Sequence, residues 1–193
     1  MDRLNILIAG IGGQGVVTAG KILAEAFHEK GLTVFESETH GLSQRGGAVT
    51  THVRVGNVNV PLIPKGGADI LIAMDGIEAL RNASYLSTDA KVFLNESVKL
   101  PSLPNVKPVS ISYVLENLRP WRTYTLDCEQ IVRDGYRCNT VILGLVYEIS
   151  LRKYLDINDF IKVLRGPTNV KSFMLGVQRG KYYESLAAMD RLV

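Results

Sequence analysis

The stretch that decides the fold is LNILIAGIGGQGVVTAGKILAEAF, residues 4–27. Its first part, residues 4–9, is nearly all apolar, which is typical of a parallel strand buried on both faces. From Val16 onward the apolar residues recur at helical spacing, and Gly31 follows where such a helix would end. Residues 33–35 are predicted to form a second strand. The segment is therefore predicted to be a βαβ unit with a right-handed crossover.

Between the predicted strand and helix lies a glycine-rich loop with the spacing G-x-G-x-x-G. In this prediction Gly10 permits a tight turn, Gly12 lets a phosphate approach the backbone, and Gly15 lets the helix pack closely on the strand. The N–H groups of the first helical turn would then face an anion. The residues predicted to bind a cofactor here are Gly10, Gly12, Gly13, Gln14 and Gly15. The alternative is that the glycines serve only a sharp strand-to-helix turn.

An acidic residue after the second strand is the usual ribose partner of a nicotinamide cofactor. Glu36 stands at about the right distance, and Glu38 is close to it. A self-sufficient NAD-dependent dehydrogenase is therefore one open interpretation. It lacks a clear catalytic constellation, since the sequence has no Tyr-x-x-x-Lys motif and no His–Asp pair that can be placed. A non-enzymatic nucleotide-binding assembly module is a second interpretation.

A second motif, HGLSQRGGAV at residues 40–49, places four polar groups in one loop beside the end of the second strand. Arg45 has the geometry to grip a phosphate or carboxylate bidentately. His40 is interpreted as a structural donor that fixes the loop, in preference to a group that acts on a substrate. The alternative is a solvated loop that opens a hairpin. The residues of this motif that complete the predicted cofactor-binding set are His40, Ser43, Gln44, Arg45, Gly46 and Gly47.

The rest of the chain completes one domain, residues 1–193. Residues 48–55 and 58–63 flank Gly56-Asn57, which predicts a type II′ hairpin with an edge strand carrying Pro61. Further strands are predicted at 70–74, 91–94, near Val109 and at 123–126, with helices at 76–83, 112–118, 140–151, 157–164 and 169–192. The predicted fold class is α/β: a Rossmann-like doubly wound, mostly parallel sheet with a β-hairpin insertion and a helical C-terminal part.

Polar and aromatic residues outside the two motifs allow two readings each. Asp75 and Asn95 follow predicted strands, where side chains either bind ligands or cap the next helix. Trp121 lies between two arginines, a composition that favours an interface over a covered loop. The nearly all-apolar helix at 140–151 is expected to be core.

Composition excludes several classes of protein. The formal charge is +3, and the basic residues are scattered, so no nucleic-acid partner is expected. No apolar run is long enough to span a bilayer and no signal peptide is recognisable, so we expect a cytoplasmic protein without a membrane partner. Cys128 and Cys138 fit no common zinc or iron–sulfur spacing and are predicted to be reduced structural thiols, with no metal site on this chain.

Several segments together resemble one family. They are GIGGQGVVTAGKILAEA (10–26), ESETHGLSQRGGAVTTHVRVG (36–56), ADILIAMD (68–75), NTVILG (139–144) and NVKSFMLG (169–176). They are similar to the gamma-type domain of the 2-oxoacid:ferredoxin oxidoreductases, and the resemblance covers nearly the whole chain. A free-standing chain with the HGLSQRGG form most resembles the small subunits of the indolepyruvate-type enzymes.

The resemblance implies a complex. A large partner subunit would carry thiamine diphosphate, magnesium and 4Fe-4S clusters, and ferredoxin would accept electrons from the oxidative decarboxylation of an aryl 2-oxoacid to an acyl-CoA. This chain has no thiamine signature and no cluster ligands, so no activity is expected of it alone. The glycine loop and Arg45 would contact coenzyme A, with no residue of this chain catalytic. A gamma subunit for pyruvate or another 2-oxoacid is the remaining alternative.

Overall fold

The computed structural model of the chain describes residues 2–41, 47–99 and 107–189. Its centre is a six-stranded sheet with the order β2-β3-β1-β4-β5-β6. The strands are β1 (Arg3–Ile11), β2 (Val34–His40), β3 (Ala48–Gly56), β4 (Ala68–Ala73), β5 (Leu86–Asn95) and β6 (Arg122–Leu126). β1, β4, β5 and β6 are parallel neighbours, whereas β3 is antiparallel to both β1 and β2. The predicted fold class is confirmed: an α/β fold with a mixed, mostly parallel sheet.

Helices cover both faces of the sheet. They are α1 (Val16–Glu29), α2 (Gly76–Asn82), α3 (Ile111–Asn117), α4 (Cys128–Arg133), α5 (Cys138–Val146), α6 (Ile157–Val163) and α7 (Pro167–Met189). Alternate residues of β1 serve the two layers: Ile6 and Ile8 pack with α1, α5 and α7, whereas Leu7 and Ala9 pack with α2 and α3. This explains why the strand is apolar at successive positions, as predicted. Within the described ranges, no helix combines the length and apolarity needed to cross a bilayer.

The predicted hairpin at Gly56-Asn57 is wrong. Residues 57–67 form no strand, and the antiparallel hairpin is instead made by β2 and β3. Side chains of β3 hold the following segment as a loop: Arg54 donates to the carbonyl of Leu62 at 3.1 Å, and the imidazole of His52 accepts from the next amide at 3.1 Å. These hydrogen bonds satisfy backbone groups of residues 62 and 63 that would otherwise pair with a neighbouring strand. Pro61 has no N–H to donate to such a strand. The strand predicted near Val109 is also absent, since residues 107–110 are irregular.

The inserted strand separates the two strands of the predicted βαβ unit. β3 lies between β1 and β2, so α1 crosses over β3. The contact is close at Gly20 of α1, where an added Cβ would meet the Thr51 side chain and lie 3.0 Å from a carboxylate oxygen of Glu36. Glu36 therefore faces the underside of α1, two strands away from the glycine loop.

The interface between α5 and α7 depends on glycine. An added Cβ at Gly144 would overlap the carbonyl oxygen of Phe173, and one at Gly176 would overlap the carbonyl oxygen of Val141. The two backbones are thus too close for any side chain at these positions. α5 is buried along most of its length, which confirms its prediction as core. The helix ends as a π-turn at Tyr147–Leu151.

Candidate functional site: a cationic crease at the ends of the parallel strands

A cavity of about 820 Å³ lies where β1, β4 and β5 end. We call it the crease. It is lined mainly by three segments: residues 13–15 with Thr18 of α1, residues 95–99 after β5 in part, and the stretch from Cys128 to Thr140 in part. Met74 and Asn169 complete the lining. Ligands of open α/β sheets bind at the carboxyl ends of the strands. The crease therefore occupies the position that the sequence predicted for a ligand.

The glycine loop is braced by its own glutamine. The carboxamide oxygen of Gln14 accepts from the amide of Ile11 at 2.7 Å, and the amide of Gln14 donates to the carbonyl of Ile11 at 3.1 Å. Gly13 and Gly15 have φ angles of 95° and 80°, which only glycine adopts without strain. Gln14 is thus a structural clamp that fixes the loop in the shape that opens onto the crease.

The roles predicted for two glycines are wrong. Gly10 lies within β1, and an added Cβ there would be 2.8 Å from Val16 and 2.9 Å from Met74. Gly10 is therefore the position of close helix–strand packing, whereas the turn depends on Gly13 and Gly15. An added Cβ at Gly15 would lie 2.5 Å from the amide nitrogen of Asn139, so this glycine packs against the start of α5. Spacing alone does not distinguish these roles, because they depend on which elements pass nearby.

The amino terminus of α1 is open toward an anion. Its cap residue, Gly15, offers no side-chain acceptor, and its first turn carries no acidic residue. Thr18, in that first turn, lines the crease. Uncapped N–H groups and the positive end of the helix dipole both favour negative charge at this place. The amide of Gly12 is already occupied, since it donates to the carbonyl of Gly47 at 2.9 Å.

Three cationic residues line the crease, and we call them the cationic wall: Lys99, Arg133 and Arg137. Arg133 pairs with Glu129, which also lines the crease. Lys99 and Arg137 form no ion pair with any residue that the structure describes. Three cations and one carboxylate leave a surplus of two positive charges in the wall. An anionic ligand would be stabilised between this wall and the helix terminus.

Sequence reasoning missed all three cations. They lie at positions 99, 133 and 137, and no local cluster of basic residues marks them. α4, which carries Arg133, has six residues and was not predicted. A usable signal was the sequence Asp127-Cys128-Glu129 after β6, because an aspartate at this place caps a helix. Its carboxylate accepts from the amide of Gln130 at 3.0 Å.

Asp75 and Asn95 have structural roles at the edge of the crease. Asp75 is fully buried and caps α2: one carboxylate oxygen accepts from Ile77 at 2.9 Å, and the other accepts from the amide of Lys99 at 2.8 Å. Of the two readings left open, capping is the one observed, and it also holds Lys99 at the crease. The amide of Asn95 donates to the carbonyl of Met74 at 2.9 Å, which ties β5 to β4.

Cys128 and Cys138 are joined by a disulfide, with Cα atoms 5.3 Å apart. The sequence predicted two reduced thiols, and the structure instead pairs the two cysteines. The chain between the two cysteines, which are ten positions apart, runs through α4 and reverses direction at a turn containing Gly135, whose φ angle is 85°. Both cysteines line the crease. Among the described residues, no group of three or more His, Cys, Asp and Glu side chains is placed to hold a metal ion.

The second motif meets the glycine loop only in part. Gly47 contacts it through the bond to Gly12, but His40 lies at the exposed end of β2. Its Nε2 is 3.0 Å from a carboxylate oxygen of Glu38, and the crease does not include it. The role of His40 as a donor that fixes the loop stays a prediction. The other predicted residues of the motif, Ser43, Gln44, Arg45 and Gly46, lie outside the described residues.

Glu36 does not take part in the crease. Burial raises the pKa of its carboxyl, and the neighbouring Glu38 adds to the effect. One of its oxygens has no hydrogen-bond partner among the described residues. Because β3 separates β2 from β1, the side chain is not adjacent to the glycine loop. The geometry that a nicotinamide ribose needs is therefore not present here.

Trp121 is half-buried, and its indole N–H donates to the carbonyl of Ser87 at 2.9 Å. The ring packs against the apolar layer beneath α3. This contact fits a covered loop better than a free interface residue.

The fold and the crease define an α/β chain suited to an anionic ligand, and comparison with known proteins identifies its family. Residues 5–178 match the model of the pyruvate ferredoxin/flavodoxin oxidoreductase family, so the chain belongs to that family. This confirms the family resemblance seen in the sequence.

Two relatives illustrate the similarity. The chain is 48% identical over 111 residues to "Indolepyruvate oxidoreductase subunit IorB" of Archaeoglobus fulgidus, covering 58% of this chain and 54% of that protein. It thus spans about half the length of that relative. With the subunit of the same name from Pyrococcus horikoshii it is 30% identical, over 94% of this chain and 98% of that protein.

Among solved structures, the chain is similar in fold to the 2-oxoglutarate:ferredoxin oxidoreductase of Magnetococcus marinus, solved with 2-oxoglutarate, coenzyme A and succinyl-CoA bound. The TM-score is 0.69 at 22% identity, over 94% of this chain and 32% of that one.

Proposed function

We propose that this chain is the small subunit of a thiamine-dependent, iron–sulfur 2-oxoacid:ferredoxin oxidoreductase of the indolepyruvate type. The enzyme would oxidatively decarboxylate indolepyruvate and other aryl 2-oxoacids to acyl-CoA, with ferredoxin as acceptor. The observation that carries the proposal is the nearly full-length similarity to the IorB subunit of Pyrococcus horikoshii.

The chemistry would be divided between two chains. Thiamine diphosphate, magnesium and 4Fe-4S clusters, when bound by a large partner subunit, supply decarboxylation and electron transfer. The 2-oxoacid would bind mainly on that partner. This chain would contribute positioning and electrostatic stabilisation of the acyl acceptor, and no catalytic residue is assigned to it.

The crease is the proposed site of contact with coenzyme A. Its residues fit a ligand with several phosphates, because Lys99 and Arg137 are without ion pairs among the described residues and the amino terminus of α1 borders the same cavity. Its volume of about 820 Å³ suits a sizeable part of such a ligand. The homologous fold of Magnetococcus marinus belongs to an enzyme with coenzyme A bound, which supports this choice of ligand. Arg45 and Gln44, on the second motif, are proposed to complete the site.

The dehydrogenase alternative has lost its main support. It required an acidic residue on the strand next to the glycine loop, and β3 occupies that position. A purely assembling module has no specific observation in its favour. The alternative that the enzyme uses a different 2-oxoacid, such as pyruvate or 2-oxoglutarate, is tested by direct assay of these substrates.

The test is coexpression with a candidate large subunit from the same genome, followed by anaerobic purification. We expect a brown, iron-containing hetero-oligomer that reduces ferredoxin only when a 2-oxoacid and coenzyme A are both supplied. Indolepyruvate and phenylpyruvate should give higher kcat/KM than pyruvate and 2-oxoglutarate. Preference for pyruvate or 2-oxoglutarate would overturn the indolepyruvate type, and oxidation of any substrate by the isolated chain would overturn the subunit role.

A further inference from the structure

The disulfide encloses the part of the chain that forms the cationic wall. Cys128 is the first residue of α4, and Cys138 is the first residue of α5. Between them lie Glu129, Arg133 and Arg137, which all line the crease. The two sulfur atoms therefore close a ring of chain around the charged groups that would meet an anionic ligand.

Non-covalent contacts also hold this segment in place. The side chain of Ile131 is buried in the core, the amide of Cys128 donates to Asn95 at 3.2 Å, and the amide of Arg137 donates to the hydroxyl of Ser172 at 2.9 Å. A helix of six residues such as α4 has little stability of its own. The covalent link adds to these restraints on the position of Arg133 and Arg137.

The disulfide is also within reach of small reagents. Both cysteines line an open cavity, although Cys128 is only 6% exposed. Reactive cysteines are typically found in partly accessible, electropositive surroundings, and this wall carries a surplus of positive charge. A disulfide that borders an open cavity is more accessible to an attacking thiolate than one fully enclosed in a core.

We propose that Cys128 and Cys138 form a reversible thiol–disulfide site whose closed state holds the cationic wall in its binding position. The identity of the ligand rests on the proposed function, whereas the exchange chemistry does not. A thiolate of a dithiol reductant attacks one sulfur and breaks the disulfide, and the second thiol of the reductant resolves the mixed disulfide. Two electrons and two protons pass to the cysteines, and the reductant leaves as its own disulfide.

The first experiment measures the exchange itself. The full chain is equilibrated anaerobically in buffers of reduced and oxidised glutathione, alkylated, and weighed by mass spectrometry. We expect conversion in one step between a form that takes up no alkyl group and a form that takes up two. Two alkylated cysteines in every buffer, or none after excess dithiol under native conditions, would overturn the proposal.

The second experiment measures the mobility of the cationic wall and needs no ligand. Trypsin cleaves after arginine and lysine, so the rates of cleavage at Arg133 and Arg137 report the mobility of the segment, with the exposed Lys65 as an internal control outside the ring. Both rates should rise by roughly tenfold or more in the reduced chain, as local opening becomes easier. The double variant Cys128→Ser/Cys138→Ser should be cleaved at the fast rate in every redox buffer. Equal cleavage rates in the two redox states would overturn the proposal that the disulfide restrains this segment.

The third experiment links the site to the proposed ligand. In the complex with the large subunit, coenzyme A should bind roughly fivefold more tightly in the oxidised state, and the double serine variant should be indifferent to redox buffer. Equal affinity in both states would overturn the effect on binding. Absence of coenzyme A binding in both states would count against the proposed function, while the alkylation and proteolysis results would still decide the thiol–disulfide site.

Discussion

The amide of Gly12 donates to the carbonyl of Gly47 at 2.9 Å, so the two glycine motifs of the sequence are joined by a backbone hydrogen bond. One motif ends β1, and the other begins β3. The antiparallel pairing of these strands brings the motifs together, with Ile11 opposite Ala48. The second motif is therefore a neighbour of the glycine loop because β3 is inserted beside β1.

Arg137 provides the direct test of ligand binding in the crease. Its replacement, Arg137→Ala, should raise KM for coenzyme A in the assembled enzyme roughly tenfold, because one charge-assisted contact to a phosphate is lost. KM for the 2-oxoacid should not change. Steady-state kinetics of the complex check this. Arg119→Ala is the control, since Arg119 is exposed and pairs only with Glu116 among the described residues. Equal effects of the two variants would contradict the assignment.

Arg45 belongs to the predicted set from the second motif, and it is tested in the same assay. Arg45→Ala should also raise KM for coenzyme A with little change in KM for the 2-oxoacid. An unchanged KM for coenzyme A would remove Arg45 from the proposed site.

Two substitutions of Gln14 distinguish its effect on the stability of the glycine loop from the effect of added negative charge on ligand binding. Gln14→Ala removes the acceptor of the Ile11 amide and should cost about 2 kcal/mol, which lowers Tm by roughly 4–8 °C. Gln14→Glu keeps an acceptor oxygen in the same place and should keep a Tm close to that of the wild type. The added negative charge should nevertheless raise KM for coenzyme A. Thermal melts and kinetics measure the two effects, and a Glu variant that bound coenzyme A normally would argue against a phosphate at this loop.

Gly176 tests the close packing of α5 and α7. An added methyl group would overlap the carbonyl oxygen of Val141, and both backbones would have to move apart. Gly176→Ala should therefore lower the free energy of unfolding by about 3 kcal/mol or more, although alanine is the better helix former. The exposed neighbour Gln178 is the control, and Gln178→Ala should change stability little. Chemical denaturation provides the measurement. A stabilised Gly176→Ala variant would contradict the packing.

His52 should make stability depend on pH. Burial, with a contribution from Arg54, lowers the pKa of His52 below its ordinary value of 6.5. The unfolded chain therefore binds this proton first as the pH falls, so stability present above pH 6.5 is lost from there down through the folded-state pKa. His52→Asn removes the titration and keeps an acceptor near the amide of Ile63. Its unfolding free energy should fall less steeply below pH 6.5 than that of the wild type, and chemical denaturation across this pH range measures the difference.

Local sequence was sufficient for the elements whose signals are short in range. The apolar run of β1, the helical spacing of α1 and the glycines between them follow from backbone conformation and burial on both faces. Those features determined an α/β fold and predicted a ligand site at the end of β1. The family resemblance came from the same motifs and is confirmed by the match over residues 5–178.

Tertiary structure decided the features that depend on distant contacts. The partner of β3 is β2, because Arg54 and His52 bind the loop that local turn chemistry favoured as a return strand. The wall of the crease brings Lys99, Arg133 and Arg137 to the glycine loop, although more than eighty residues separate them from it in the chain. Side chains from remote positions meet only when the sheet is assembled, since strand order sets which loops share an edge. The sequence by itself predicted an anion site at the strand–helix junction, and the fold decided which charged residues lie beside that junction.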